Sequence, residues 1–400
     1  MLSVAEAKAR ILEALTRLPA ETTSLADADG RVLAEDARAR VTQPPWPVSA
    51  MDGYAARGAD VAHAPTTLRQ IGLVHAGGHY QGRVGAGETV RIFTGAPMPE
   101  GADTVVIQEN VEAEGERVRV LHDTAPGRNV RPAGLDFKAG QVGLEAGRRL
   151  DARAIGFAAA MNLPWLRVTR KPRVAVLATG DEIVMPGEPI GASQIVSSNA
   201  LALLAAIRRF GGEPINLGIA LDNEASLKAL AAGARGTDLL VTTGGASVGE
   251  HDLVRDVLGG AGLELDFWKI AMRPGKPLMF GRLGETRLLG LPGNPVSTLV
   301  CAILFLKPAI GRLLGLARDG ETSESAVLEV DLAANDERQD YVRAALRARP
   351  DGNAVTAPFA KQDSSMMSLM ANAGCLIVRP PLAPAAKAGE RVPIIRLDDL

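Results

Sequence analysis

The spacing of apolar positions changes along the chain, and each change marks a different kind of element. Ser3 and Glu6 form a capping box, after which Ile11, Leu15 and Leu18 fall on one face and predict a helix over residues 4–18. Short apolar runs around Gly30 follow. Prolines at 44, 45 and 47 then remove donors and constrain their neighbours, so "VTQPPWPVSAMDGY" from Val41 to Tyr54 reads as a loop. Between Leu68 and Val120 glycines divide short strand-like pieces, which predicts a β-rich module over residues 50–135. Residues 151–162 return to a helical pattern. The first helix and this one are expected to build a connecting region, residues 1–49 and 136–168, around the inserted module.

A different period begins at "PRVAVLATGDE". Val174 to Leu177 is a short, continuously apolar strand, followed by the helix "ALALLAAIRRF", capped by Ser198 or Asn199 and ended by Gly211-Gly212. Helix, strand and glycine loop recur in "DNEASLKALAAGA", in "DLLVTTGG" with a helix from about Asp252, and in "RLLGLPGNPVSTLVCAILFL", where Asn294 is a candidate cap and Pro295 takes the first helical position. Strands alternating with helices predict a mostly parallel α/β domain over residues 169–317, covered on both faces. The apolar stretch Pro295 to Leu306, closed by Lys307, reads as a buried helix too short to cross a bilayer. After Gly315 the period falls back toward two in "AVLEVDLA", "YVRAALRA" and "ERVPIIRL", so residues 318–400 form a small β domain.

Composition narrows the possibilities. A chain of 400 residues that is 46% hydrophobic and 22% charged is folded and divides into several domains. Its 44 basic and 46 acidic residues leave a formal charge of −2, which gives no general field for nucleic acid. Cys301 and Cys375 lie far apart without metal-ligand spacing, so they read as reduced core thiols rather than a zinc, iron–sulfur or disulfide framework. The N-terminus has no basic segment followed by an apolar core. No signal peptide is expected, and no membrane partner; the setting is cytoplasmic.

Candidate chemistry gathers in three glycine-bearing loops: Thr179 to Glu182, Thr242 to Gly249, and Gly290 to Ser297. In a parallel domain these fall at the carboxyl ends of strands, where ligands sit, and the helices that follow offer free N–H groups to an anion. Thr179, Gly180, Gly244, Gly245, Ser247, Gly249, Pro292, Gly293, Asn294 and Pro295 are the candidate ligand-binding positions. No GxxxxGK[ST] is present, and "TTGGASVG" lacks the GxGxxG pattern with its distant acid, which disfavours an ordinary ATPase or nicotinamide dehydrogenase. Asp181, Glu182, Asp222 and Asp252 accompany the loops. They suit a hard cation such as Mg²⁺, although helix capping explains single members of the set equally well. Lys269, Arg273 and Lys276, around Pro274-Gly275, are candidate anion contacts. Outside this domain, Asp52 in its proline-led loop, Thr94 after a strand, and Asp136 among Arg128, Arg131 and Lys138 form a candidate second wall of a cleft.

Taken in order, "PPWPVSAMDGYA", "RIFTGAPMPEGAD", "NVRPAGLDFKAG", "ATGDEI", "TTGGASVGEHD", "KIAMRPGKP" and "GLPGNPVS" resemble the molybdopterin molybdenumtransferase family over nearly the whole chain. The resemblance implies a central domain like molybdopterin adenylyltransferase, a C-terminal β-barrel, and a homodimer whose cleft joins the α/β domain of one subunit to the inserted module of the other. It implies adenylyl-molybdopterin and molybdate as substrates, AMP as product, Mg²⁺ as the promoting ion, and contacts with molybdopterin adenylyltransferase and molybdoenzyme maturation proteins. By motif, the functional carboxylates fall on Asp52, Asp136, Glu182, Asp222 and Asp252, with Thr94 near the oxyanion, a basic pair at Lys269 and Arg273, and a proline loop at Pro292 and Pro295. Arg273 replaces a lysine of some members, exchanging a compact ammonium for a planar fork. "KQDSSMMSLMANAG" resembles the serine-bearing loop, with Ser364 or Ser365 as its counterpart. Adenylyl transfer onto molybdopterin, or a noncatalytic molybdopterin-binding scaffold, are the alternative functions.

Overall fold

Four parallel strands bring the glycine loops to one edge of a central sheet. The computed structural model describes residues 1–244, 253–260, 262–317, 324–349, 352 and 354–398. Arg173–Thr179 lies between Glu213–Ala220 and Leu239–Thr243, and Thr286–Leu291 extends the parallel set. Val174, Val176 and Ala178 point into one core, while Ala175 and Leu177 point into another on the opposite face. That double burial is why the strand is apolar without alternation. The expected parallel sheet gains an antiparallel edge, because Leu263–Trp268 and Met279–Leu283 form a hairpin beside Thr286–Leu291.

The helix after the Pro292 loop outruns its expected end. It runs Pro295–Cys301, passes through a π turn at Ala302–Leu306 and continues as Lys307–Leu314. Lys307 does not stop it; Gly315, in a left-handed conformation, does. At 20 residues the helix is long and apolar enough to cross a membrane, yet 83% of its apolar 18-residue window is buried inside the protein, which marks it as a core helix.

The N-terminal helix is shorter than its pattern, spanning Val4–Glu13, although Leu15 beyond it stays buried. It packs on the central domain. Ala7, Ile11 and Leu15 join the central-domain core with Leu313 and Leu314. The Ala152–Ala160 helix instead buries Ala154 and Ala158 with Leu33, Phe137, Leu144 and Leu166 in a separate core. The two helices therefore belong to separate cores, the apolar stripe of the first lying against the end of the long buried helix.

Between these elements stands a six-stranded sheet in the order Thr104–Ile107, Gly53–Ala56, Glu88–Ile92, Thr66–Val74, Arg117–Val120, Val111–Glu114. The proline-led segment expected as loop contains the short strand Val48–Ser49, paired with Val130–Arg131.

The C-terminal strands close on themselves. Gln339–Ala348 pairs with Ala354–Pro358, and the ring returns through Glu324–Leu328, Arg391–Arg396 and Cys375–Arg379 to Gln339–Ala348. Closure removes free edges. The whole is thus a multidomain α/β plus β structure. Met272–Arg273, from the segment joining the central hairpin, adds to the barrel alongside Gln339–Asp340.

Candidate functional site

At the carboxyl edge of the parallel strands the loops touch. A side chain at Gly244 would collide with the Thr179 carbonyl oxygen, and one at Gly293 would lie 3.5 Å from the Gly244 Cα. Together these turns floor a cleft of about 410 Å³, lined among others by Glu182, Asn199, Thr243, Gly244, Gly293, Asn294, Pro295 and Ser365. Pro292 is buried behind it. The Thr179 hydroxyl is buried and has no hydrogen-bond partner among the described residues. Gly245, Ser247, Gly249 and Asp252 lie outside the described residues.

The acidic set sits beside this floor. Gly180 donates its N–H to Ala220 O at 3.2 Å, which brings the two strand ends together, and the Asp222 N–H donates to Asp181 Oδ1 at 2.8 Å. Glu182 is fixed through its main chain, where its carbonyl accepts from the Ile195 N–H at 2.7 Å. Partial burial, then the nearby charges of Asp181 and Glu182, push the Asp222 carboxyl above the ordinary carboxylate range, although the residue as a whole is exposed. Crowded like charges are what a cation relieves. Among the described residues no group of three or more His, Cys, Asp or Glu forms a ready-made metal cage. The donor set nevertheless fits Mg²⁺, which takes one or two protein carboxylates and completes its shell with waters and ligand oxygens.

The barrel supplies one rim. Asn294 occupies the expected cap position but makes no side-chain cap bond; its Nδ2 donates to Ser364 Oγ at 2.8 Å, and the Val296 N–H donates to Ser364 O at 3.1 Å. Ser365 faces the cleft, and its hydroxyl donates to Asp363 at 2.7 Å. One end of the long helix is therefore tied to the barrel loop, which consumes a main-chain donor that sequence reasoning left free for an anion.

Lys269, Arg273 and Lys276 are not among the residues lining the cleft. Lys269 has positive φ, and its ammonium stands 3.6 Å from the Trp268 ring centroid, a cation–π contact. Lys276 O accepts from the N–H groups of Ile270 and Leu278, shaping the turn. Arg273, expected as an anion contact, is held by carboxylates of the barrel domain. Its guanidinium donates to Asp340 Oδ2 at 2.6 and 3.2 Å and to Asp336 Oδ2 at 3.2 Å, so the planar fork joins the central domain to the barrel.

A pH-dependent stability follows. Hydrogen bonds from the Arg338 side chain and N–H, with the charge of Arg273, hold the Asp336 carboxyl down to about 2, against an ordinary 3.8. A depressed folded-state value stabilises above the unfolded one and loses its contribution as pH falls through the window from 3.8 toward about 2. The melting temperature of Asp336→Asn is expected below wild type at pH 6, with the gap closing as melts are repeated toward pH 2. A gap independent of pH would contradict this account.

Asp52 and Thr94 meet in the inserted module. The Thr94 N–H and hydroxyl each donate to Asp52 Oδ1 at 2.8 Å, and with Arg91 nearby they hold this carboxyl below its usual range. Asp136 is exposed, and its N–H donates to Gln43 O at 3.0 Å. None of these three residues lines the central cleft of the same chain.

Sequence reasoning missed the buried hydroxyls of Thr243 and Thr298, which contact the Pro292 carbonyl at 3.1 and 2.6 Å, and it took Asn199 only for a helix cap. Threonine at the end of an apolar strand was the available signal for Thr243.

Comparisons with known proteins agree along the whole chain. Family models match as "MoeA N-terminal region (domain I and II)" over residues 2–162, "Probable molybdopterin binding domain" over 175–312, and "MoeA C-terminal region (domain IV)" over 325–397. A molybdopterin molybdenumtransferase of Haemophilus influenzae is 35% identical over 399 residues, covering 98% of each chain. One of Nostoc sp. is 38% identical over 331 residues, covering 80% of this chain and 76% of its own. A solved structure of a molybdopterin biosynthesis moeA protein from Pyrococcus horikoshii superposes with a TM-score of 0.87 at 28% identity, covering 99% of this chain and 100% of that one.

Proposed function

Because the chain belongs to the molybdopterin molybdenumtransferase family, we propose that its cleft binds adenylyl-molybdopterin and is the place of molybdenum insertion. The reaction takes molybdenum from molybdate into the dithiolene and releases AMP as the pyrophosphate linkage is cleaved, giving the molybdenum cofactor. One observation carries the assignment to this cleft: the turns at Thr179, Gly244 and Gly293 meet on one floor, with Glu182 in the lining.

In this reading the main-chain N–H groups of Gly244, Gly293 and Asn294 hold the phosphates, and the buried Thr179 hydroxyl closes the floor. Asp181, Glu182 and Asp222, with Asp252, would hold Mg²⁺, which supplies charge neutralisation to the phosphate oxygens when bound. Lys269 and Lys276 remain available to draw in the anionic substrate, while Arg273 serves the barrel contact. Ser364 and Ser365 belong to the rim.

Asp52, Thr94 and Asp136 form the wall near the incoming oxyanion, and we assign that wall to a second copy of the chain. Two facts support a homodimer: the cleft draws no lining residue from the inserted module, and its mouth exposes Ile195 at 61% and Val196 at 43%. We also read the central domain as sharing the architecture of molybdopterin adenylyltransferase, on the strength of its parallel strands and strand-end loops.

The direct test supplies purified protein with adenylyl-molybdopterin, molybdate and Mg²⁺, and measures AMP and active cofactor together. Both are expected to form, with dependence on Mg²⁺ and on molybdate. Formation of adenylyl-molybdopterin from ATP instead would favour adenylyl transfer, and tight binding without turnover would favour a scaffold.

A further inference from the structure

Asn199 begins the Asn199–Phe210 helix, yet neither it nor Ser198 caps that helix through a side chain. Its amide nitrogen spends both hydrogens elsewhere: Nδ2 donates to Thr243 Oγ1 at 3.0 Å and to the Gly293 carbonyl at 2.6 Å. Thr243 passes the chain on, donating to Pro292 O at 3.1 Å, and Thr298 donates to the same carbonyl at 2.6 Å. Both threonines are buried, at 1% and 0% exposure. The location gives this network its meaning. The ladder between Leu239–Thr243 and Thr286–Leu291 ends at the pair Thr243 and Leu291, so no sheet hydrogen bond fixes the Pro292 to Asn294 turn against Gly244. Asn199 bridges the two where the sheet stops.

We propose that Asn199 is a positioning residue for molybdenum insertion: it sets the separation of the Gly244 and Gly293 turns so that both reach the same pyrophosphate. The inference rests on the functional reading above and adds to it a residue that touches the loops rather than the reacting atoms. Asparagine is required because two donors must leave one atom. Aspartate has the same shape but no donor; its carboxylate would face the Gly293 carbonyl oxygen and turn the Thr243 hydroxyl away from Pro292. A displacement of one turn by about 1 Å is enough to degrade a site built from main-chain groups.

The test uses the full chain carrying Asn199→Asp, with Thr243→Val as a second variant, each checked for folding by circular dichroism. Two quantities are read: KM for adenylyl-molybdopterin, and affinity for inorganic pyrophosphate by calorimetry. Asn199→Asp is expected to weaken both by about tenfold, on the scale of losing neutral hydrogen bonds in a closed site. Thr243→Val should weaken both in the same direction, and the double variant should add less than about twofold to the larger single effect, as members of one network do. A loss of folded protein alone would lower turnover without moving either quantity. Values within twofold of wild type in folded Asn199→Asp would overturn the proposal; if that variant does not fold, unchanged values in Thr243→Val overturn it. Pyrophosphate binding is read without catalysis, so an inactive wild type would count against the functional reading and leave this result interpretable.

Discussion

Glu182→Gln should reduce molybdenum insertion and AMP release on the order of 100-fold, the upper end of what loss of a group supporting a metal site costs. Glutamine keeps the length and shape of the side chain, and the bond from Ile195 to the residue 182 carbonyl does not depend on the carboxylate. Folding is therefore expected to survive. What disappears is one negative charge at the cleft edge, beside Asp181 and Asp222. Removing it should also let the Asp222 carboxyl fall back toward its ordinary value, since Glu182 is one cause of its elevation. The cluster then attracts a cation less, so the activity lost should return in part as Mg²⁺ is raised. A magnesium titration of AMP release in both proteins reads this directly. Unchanged turnover in the variant would remove Glu182 from the working set.

Gly244→Ala should be at least as severe for a different reason. Its φ of +91° is a conformation that strains any L side chain, and an added methyl would strike the Thr179 carbonyl oxygen, which cannot swing aside without moving the neighbouring strand. Strain alone costs about 1–3 kcal/mol. The collision adds a displacement of the floor, for which a loss of about 100-fold in activity is expected. Gly187→Ala is the matched control. Gly187 has a φ of +93° with nothing within 4 Å of an added Cβ, so it shares the strain without the collision. The control should melt somewhat lower than wild type yet keep its activity, whereas Gly244→Ala should lose both. Equal activity in the two variants would show that the contact between Thr179 and Gly244 does not shape the site.

Much of the architecture was legible because burial leaves a local imprint. The uninterrupted apolar run from Val174 to Leu177 required cover on both faces, and two cores on opposite sides of the sheet provide it. The glycines at 180, 244 and 293 marked where chains turn at strand ends, and those ends do meet. Elsewhere local pattern and long-range fit diverged. Ile11 and Leu15 announced an apolar face without saying what would cover it, and the answer was the end of a helix some 300 residues onward rather than the nearer Ala152–Ala160 helix. Lys307 read as a stop because a charge usually lies at a surface, yet the helix continued through it to Gly315.

By itself, the sequence determined the family, the alternation of strand, glycine loop and helix in the central domain, the double burial of the Val174 to Leu177 strand and the types of group available to a phosphate or a cation. These follow from residue identity and from periodicity, which are properties of neighbours along the chain. Only the tertiary structure decided that Arg273 joins the barrel, that Ser364 ties down the start of the long helix, and that Asn199 links Thr243 to Gly293 across 44 and 94 residues of sequence. A hydrogen bond depends on donor and acceptor arriving within about 3 Å at a favourable angle, and that meeting is set by how sheets, helices and barrel pack, not by the spacing of the residues that make it.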